Sequence, residues 1–204
     1  MARAIVGVAA VLALAPAALA EERLVLEPYP GGTWVDVVNQ RSGAAFIHEQ
    51  IPQGQSPDTA TDVLTAQSVP GFHGQPSEFI SSAFAQFGQN CESVATIGPT
   101  ATEEQGRLVA YGRLYCGRQK GQTYGAHIFF KAILGSDALY VVDRDFRTPG
   151  SDKADETTLP EDQAIAFLKA EAEATKYLTN QVYVCDPVFP DPKCDAATTP
   201  AGPP

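Results

Sequence analysis

"YGAHIFFKAILGSDALYVVDRDF", residues 124–146, decides the fold. Two runs rich in aromatic and β-branched residues flank a short Gly-Ser-Asp break, the pattern of antiparallel strands joined by a tight turn. With the break taken as a three-residue loop, Leu134 lies opposite Ala138, and His127 opposite Asp145. Opposed side chains on such a pair interact. Asp143 and Asp145 share one strand face, about 7 Å apart by strand rise. Lys131 and Arg147 fall on the same expected face, so a solvated charge ladder accounts for this group.

Outward from this hairpin, "RLVAYGRLYC" (107–116) and "CESVATI" (91–97) read as two more strands, joined by the polar loop "GPTATEEQG". The four make an antiparallel meander. Upstream, "TWVDVVNQ" (33–40) and "AAFIHEQI" (44–51) read as a hairpin broken by Arg-Ser-Gly. Between the two strand groups, "PSEFISSAFAQFG" places Ile80, Ala83, Phe84 and Phe87 at helical spacing, with Pro76 at the start and Gly88 at the end. Ser56, Pro57 and Asp58 form a helix start as well, followed at helical spacing by Ala60, Val63, Leu64 and Gln67. A last helix is expected over 159–179. Thr158 and Glu161 would form its capping box, and Ala164, Ile165, Phe167, Leu168 and Ala172 its broad apolar face. The fold class expected is α+β: an N-terminal hairpin plus a four-stranded meander, packed with two to three helices.

The ends of the chain set the compartment. "MARAIVGVAAVLALAPAALA" has a basic start, a short apolar run and an Ala-Leu-Ala ending, the form of a secretory signal peptide cut before Glu21. Its apolar run falls short of the ~20 residues a spanning helix needs. Residues 21–32 read as a polar lead-in, 33–195 as one α+β domain, and 196–204 as a disordered tail lacking apolar residues to bury. The expected location is periplasmic or secreted.

Cys91, Cys116, Cys185 and Cys194 are four cysteines in an exported chain, which allows three pairings. Cys91 opens one expected strand and Cys116 closes the next, so antiparallel pairing brings them to one end of the sheet. That leaves Cys185 to pair with Cys194. Structural zinc sites use cysteines two to four residues apart, and redox catalysts a C-x-x-C motif; neither spacing occurs. Disulfides are the reading retained.

Loss of Arg3 with the signal takes the formal charge from −10 to −11. Such acidity opposes binding to a phosphate backbone or to anionic lipid. No nucleic acid and, after signal cleavage, no membrane insertion is expected. His48, His73 and His127 lie in separate elements without metal-ligand spacing, and no nucleophile elbow or phosphate loop is present. No metal and no cofactor is expected. Arg107, Tyr111, Arg113 and Tyr115 share one strand face with Val109 and are candidates for a partner surface, Tyr and Arg being enriched at hot spots. A helix laid over that face is the alternative.

The order of hairpin, helices, four-stranded meander and C-terminal helix, with a strand ending "DALYVVDRDFR", resembles the PsbP-like proteins over roughly Trp34 to Asn180. That resemblance implies a binding or assembly accessory rather than an enzyme, and brings no site residues with it. The function expected is therefore an exported, non-catalytic binding or accessory protein of the bacterial cell envelope, with another envelope protein as its partner. The competing expectation is a small hydrolase using His127, Asp143 and Asp145.

Overall fold

The computed structural model describes residues 22–29, 32–154, 159–186 and 193–194. The expected signal peptide, the tail and Thr158 of the expected capping box lie outside these residues. Within them the elements run β1 (Arg23–Leu26), β2 (Trp34–Ser42), β3 (Ala45–Pro52), β4 (Asp62–Pro70), α1 (Pro76–Gly88), β5 (Val94–Glu104), β6 (Arg107–Cys116), β7 (Tyr124–Leu134), β8 (Ala138–Pro149), α2 (Glu161–Asn180) and β9 (Val182–Cys185). Seven strands form one antiparallel sheet in the order β2-β3-β4-β8-β7-β6-β5, and β1 pairs with β9 in a separate ribbon.

The central hairpin forms one residue out of the expected register. Gly135 donates its N–H to the Ala138 carbonyl at 2.8 Å, so the turn proper is Ser136–Asp137 and Leu134 faces Leu139. Because side chains alternate with period two, this slip moves every pairing to the other face. His127 stands opposite Phe146 and Asp145 opposite Ile128. We call the side carrying His127, Phe129, Lys131, Ile133, Val142 and Phe146 the front, and the side carrying Ile128, Phe130, Val141, Asp143 and Asp145 the back.

Both faces of the central strands are covered. On the back, α1 packs on β5, β6 and β7, burying Ile80 and Phe84 with Leu114, Ile128 and Phe130. Its ends match the sequence expectation and Ile80, Ala83 and Phe84 are buried as expected, but Phe87 at the end of the stripe is exposed and only borders Phe130. A Cβ at Gly112 would lie 2.6 Å from the Phe84 ring and 2.7 Å from Ile80, so only glycine admits the helix this close to β6. On the front, α2 packs on β7, β8 and β9 through Ala174, Tyr177 and Leu178. Its buried stripe is narrower than expected: Ala164, Phe167, Ala170 and Ala174 face the sheet, while Ile165, Leu168 and Ala172 fall on the outward side and are exposed.

Three further expectations are corrected. The helix expected from Ser56 is a single turn, closed by Ala60 N–H to Ser56 O at 2.8 Å, and the chain then enters β4. Leu64, Ala66 and Ser68 alternate with half-buried residues there, and pairing along both edges outweighs a one-turn helical signal. The loop expected at 98–106 is mostly strand: β5 runs to Glu104, absorbs Gly98 and Pro99 at a bulge, and turns only at Gln105–Gly106. Both turn residues have positive φ, 53° and 74°, as a two-residue hairpin of the primed type requires. Pro99 is tolerated because β5 is an edge strand. Finally, the lead-in contains β1, held by partners at the far end of the chain.

Both expected disulfides form. Cys91–Cys116 ties the end of α1 to β6, and Cys185–Cys194 closes on β9. In the chain-entropy model a loop of the first size contributes about 3 kcal/mol.

Candidate binding cleft

The sheet is wider than its helical cover. The principal contacts of α1 and α2 fall on β5–β9, while β4 carries the β2–β3 hairpin outward as a wing. The front of this wing shows Trp34, Asn39 and Arg41 from β2, Phe46, His48 and Gln50 from β3, and Leu64 and Ala66 from β4. Facing it stands β1, followed by Pro28 and Tyr29. The space between them is a cleft of ≈ 2050 Å³. Small-molecule sites usually measure about 300–1,000 Å³, so this one suits something longer.

One buried arginine organises the inner end. The Arg144 guanidinium carbon lies 3.9 Å from the Tyr29 ring centroid and 4.7 Å from that of Trp34. It pairs through two nitrogens with the Asp62 carboxylate at the start of β4. A fully buried cation is costly unless paired and hydrogen-bonded; the carboxylate and the aromatic faces supply that compensation. Tyr29 also packs edge-on to Tyr177 at 4.8 Å, which anchors the β1 wall to α2. At the outer end, Asp36 accepts from Gln50 Nε2 at 2.8 Å and meets His48 Nε2 at 2.9 Å. The Gln50 hydrogen bond, then His48, holds the Asp36 carboxyl below its usual range. Arg41 lies over Phe46 at 5.3 Å. The cleft thus has an aromatic inner end and a hydrogen-bonding rim, and the Leu64 and Ala66 side chains beneath it are buried in the core.

The residues singled out from the sequence lie elsewhere. His127 is buried beneath α2, its Nδ1 2.7 Å from Glu171 Oε1 and its ring edge-on to Tyr115 at 4.7 Å. Asp143 and Asp145 share the back face, so the expected His127–Asp145 pairing does not form. Burial, reinforced by Asp145, raises Asp143 to about 8. Burial also raises Asp145 to about 6, against the pull of Arg147. The solvated charge ladder is overturned too. Lys131 is on the front, fully buried, with Nζ donating to Glu104 Oε2 and the Val182 carbonyl, both at 2.8 Å. Burial depresses its pKa.

The expected partner face is covered by α2 and the β1–β9 ribbon. Arg107 is buried against Glu22 at 3.3 Å and Asp186 at 3.0 Å. Tyr111 donates to Glu104 at 2.5 Å, Arg113 to Thr175 at 3.2 Å, and Tyr115 packs on His127. Arg107 is thus buried and the other three are half-buried. His48, read as an ordinary histidine, lines the cleft, whereas His73 is exposed on the β4–α1 connection. Among the described residues no cluster of three or more His, Cys, Asp or Glu is arranged to hold a metal ion, and no helix is long and apolar enough to cross a membrane.

No family model matches the chain, and no curated protein matches it. A PsbP-like family is therefore not among the matches. Among solved structures, the chain is similar to LpqN of Mycobacterium tuberculosis, described as involved in cell envelope biogenesis. The two are 13% identical over 80% of this chain and 84% of that one, with a TM-score of 0.45.

Proposed function

We propose that this protein is an exported, non-catalytic binding protein of the bacterial envelope, taking an elongated ligand between β1 and the β2–β4 wing. The observation that carries the reading is the cleft: the front of the sheet continues past its helical cover into an open, aromatic-ended groove. Two disulfides and no free cysteine suit an oxidising compartment, in line with the signal-like leader. The separation of His127 from both aspartates supports binding over hydrolysis.

Trp34 is the sole tryptophan and lines the cleft, so its emission reports occupancy. Titration with N-phenyl-1-naphthylamine, which accepts energy from tryptophan, is expected to quench Trp34 and light the dye saturably. Substitution of the half-buried Phe46, which lines the cleft, by Ala is expected to weaken dye binding without adding a second tryptophan. Unchanged emission of the folded native protein across the titration would sink the proposal.

A further inference from the structure

The β1–β9 ribbon leaves one strand edge open, and that edge borders the cleft. Glu27 donates its N–H to the Gln181 carbonyl at 3.0 Å, in register with the β1–β9 ladder. Opposed residues alternate between bonded and non-bonded pairs in an antiparallel ladder. Val25 and Arg23 therefore exchange bonds with β9, while the N–H and C=O groups of Leu24 and Leu26 point away from it. Neither residue has another backbone partner among the described residues. Both line the cleft, and their side chains pack down on the core shared with Phe46 and Leu64.

We infer that the cleft binds an extended polypeptide segment, which adds as a third strand to β1 and lays alternate apolar side chains on the wing. This rests on the proposed binding role of the cleft and names its ligand class. An added strand would lie about 4.8 Å from β1, above the half-buried Phe46 and His48 of the wing. The polar groups of Leu24 and Leu26 supply the main-chain bonds, and the half-buried Phe46 receives apolar side chains from every second residue. Small-molecule recognition would leave those groups unused and much of the volume empty.

Charge selects among segments. Glu22 and Asp186 already answer Arg107, which leaves Glu27 and Asp137 against Arg23 and Arg41 around the cleft. Arg107 offsets only one of its two carboxylates, so one net negative charge remains at the cleft, and together with the net charge of −10 it favours a basic segment.

The test uses the full chain after export and a dye-labelled heptapeptide of alternating valine and threonine with lysine at each end. Saturable anisotropy is expected. The same peptide N-methylated at alternate residues should bind at least about tenfold more weakly, since two main-chain bonds are lost. A version ending in glutamate should bind more weakly than the lysine form at low salt. Leu24→Pro removes one edge donor that β9 does not use, and should weaken the peptide while sparing the naphthylamine probe. Equal binding of methylated and unmethylated peptides overturns strand addition. So does absence of peptide binding while the probe still binds, and the cleft reading then survives. Loss of both in the folded native protein overturns the two together. Equal or tighter binding of the glutamate form overturns the charge preference.

Discussion

The two halves of the sheet are built from similar strands and meet different fates. In β7, between Gly125 and Ile133, every residue is buried, because helices or the β1–β9 ribbon cover both sides. In β2 none is fully buried. The contrast teaches that burial, rather than strand propensity, separates scaffold from surface here. Val35 and Val38 are as β-prone as Ile128, yet they sit on an edge strand beyond the helices. The covered half specifies the fold, and the front of the wing carries the residues that line the cleft.

Several substitutions test that contrast. The largest effect is expected where the halves join: Arg144→Ala should cost about 3–5 kcal/mol in urea unfolding, because it strands the Asp62 carboxylate in the interior. A loss under ~1 kcal/mol would mean that the arginine does not hold the wing to the core. Next, Leu114→Ala on the covered half should cost about 3 kcal/mol by cavity formation, while Phe46→Ala on the wing should cost about 1–2 kcal/mol because it is only half-buried. Equal losses would erase the distinction.

A smaller effect concerns the back of the junction. The folded pKa of Asp143, about 8, exceeds its unfolded value, so folding favours its protonated form. That contribution is complete below the unfolded pKa and declines as pH rises toward about 8. Asp143→Asn should flatten this decline and stabilise the protein at pH 8 by at least about 1 kcal/mol, one pKa unit being worth about 1.4 kcal/mol. A variant less stable than the parent at pH 8 would refute it. The smallest effect is expected at Leu168→Ala on the outer face of α2, within about 0.5 kcal/mol of the parent. A loss of ~2 kcal/mol or more would show that something covers this face in solution.

What the sequence made legible follows the same division. Both disulfides, α1 and the central hairpin were readable because each is local or tied to a strand end. Register was not: Gly135 belongs to the ladder rather than the turn, and one residue decided which face His127 takes. Strand β4 was missed because Ser56-Pro57-Asp58 carries a true turn signal just upstream, while its strand character depends on partners about 20 residues before and 80 after it. The cleft was the least legible part. Tyr29, Trp34, His48 and Leu64 have no common spacing, and only the sheet order brings them together. The one usable hint was the Leu64, Ala66, Ser68 alternation, which calls for a strand with neighbours on both sides.

The pairing of Arg23 with Cys185 has a consequence for the order in which the molecule is completed. A chain emerging from its N-terminus carries β1 from the outset but has nothing to pair it with until β9 appears, more than 150 residues later. The seven-stranded sheet can assemble before that moment, and the ribbon cannot. The groove therefore acquires its second wall only when the last strand arrives. A half-made molecule thus has the sheet face and no facing wall.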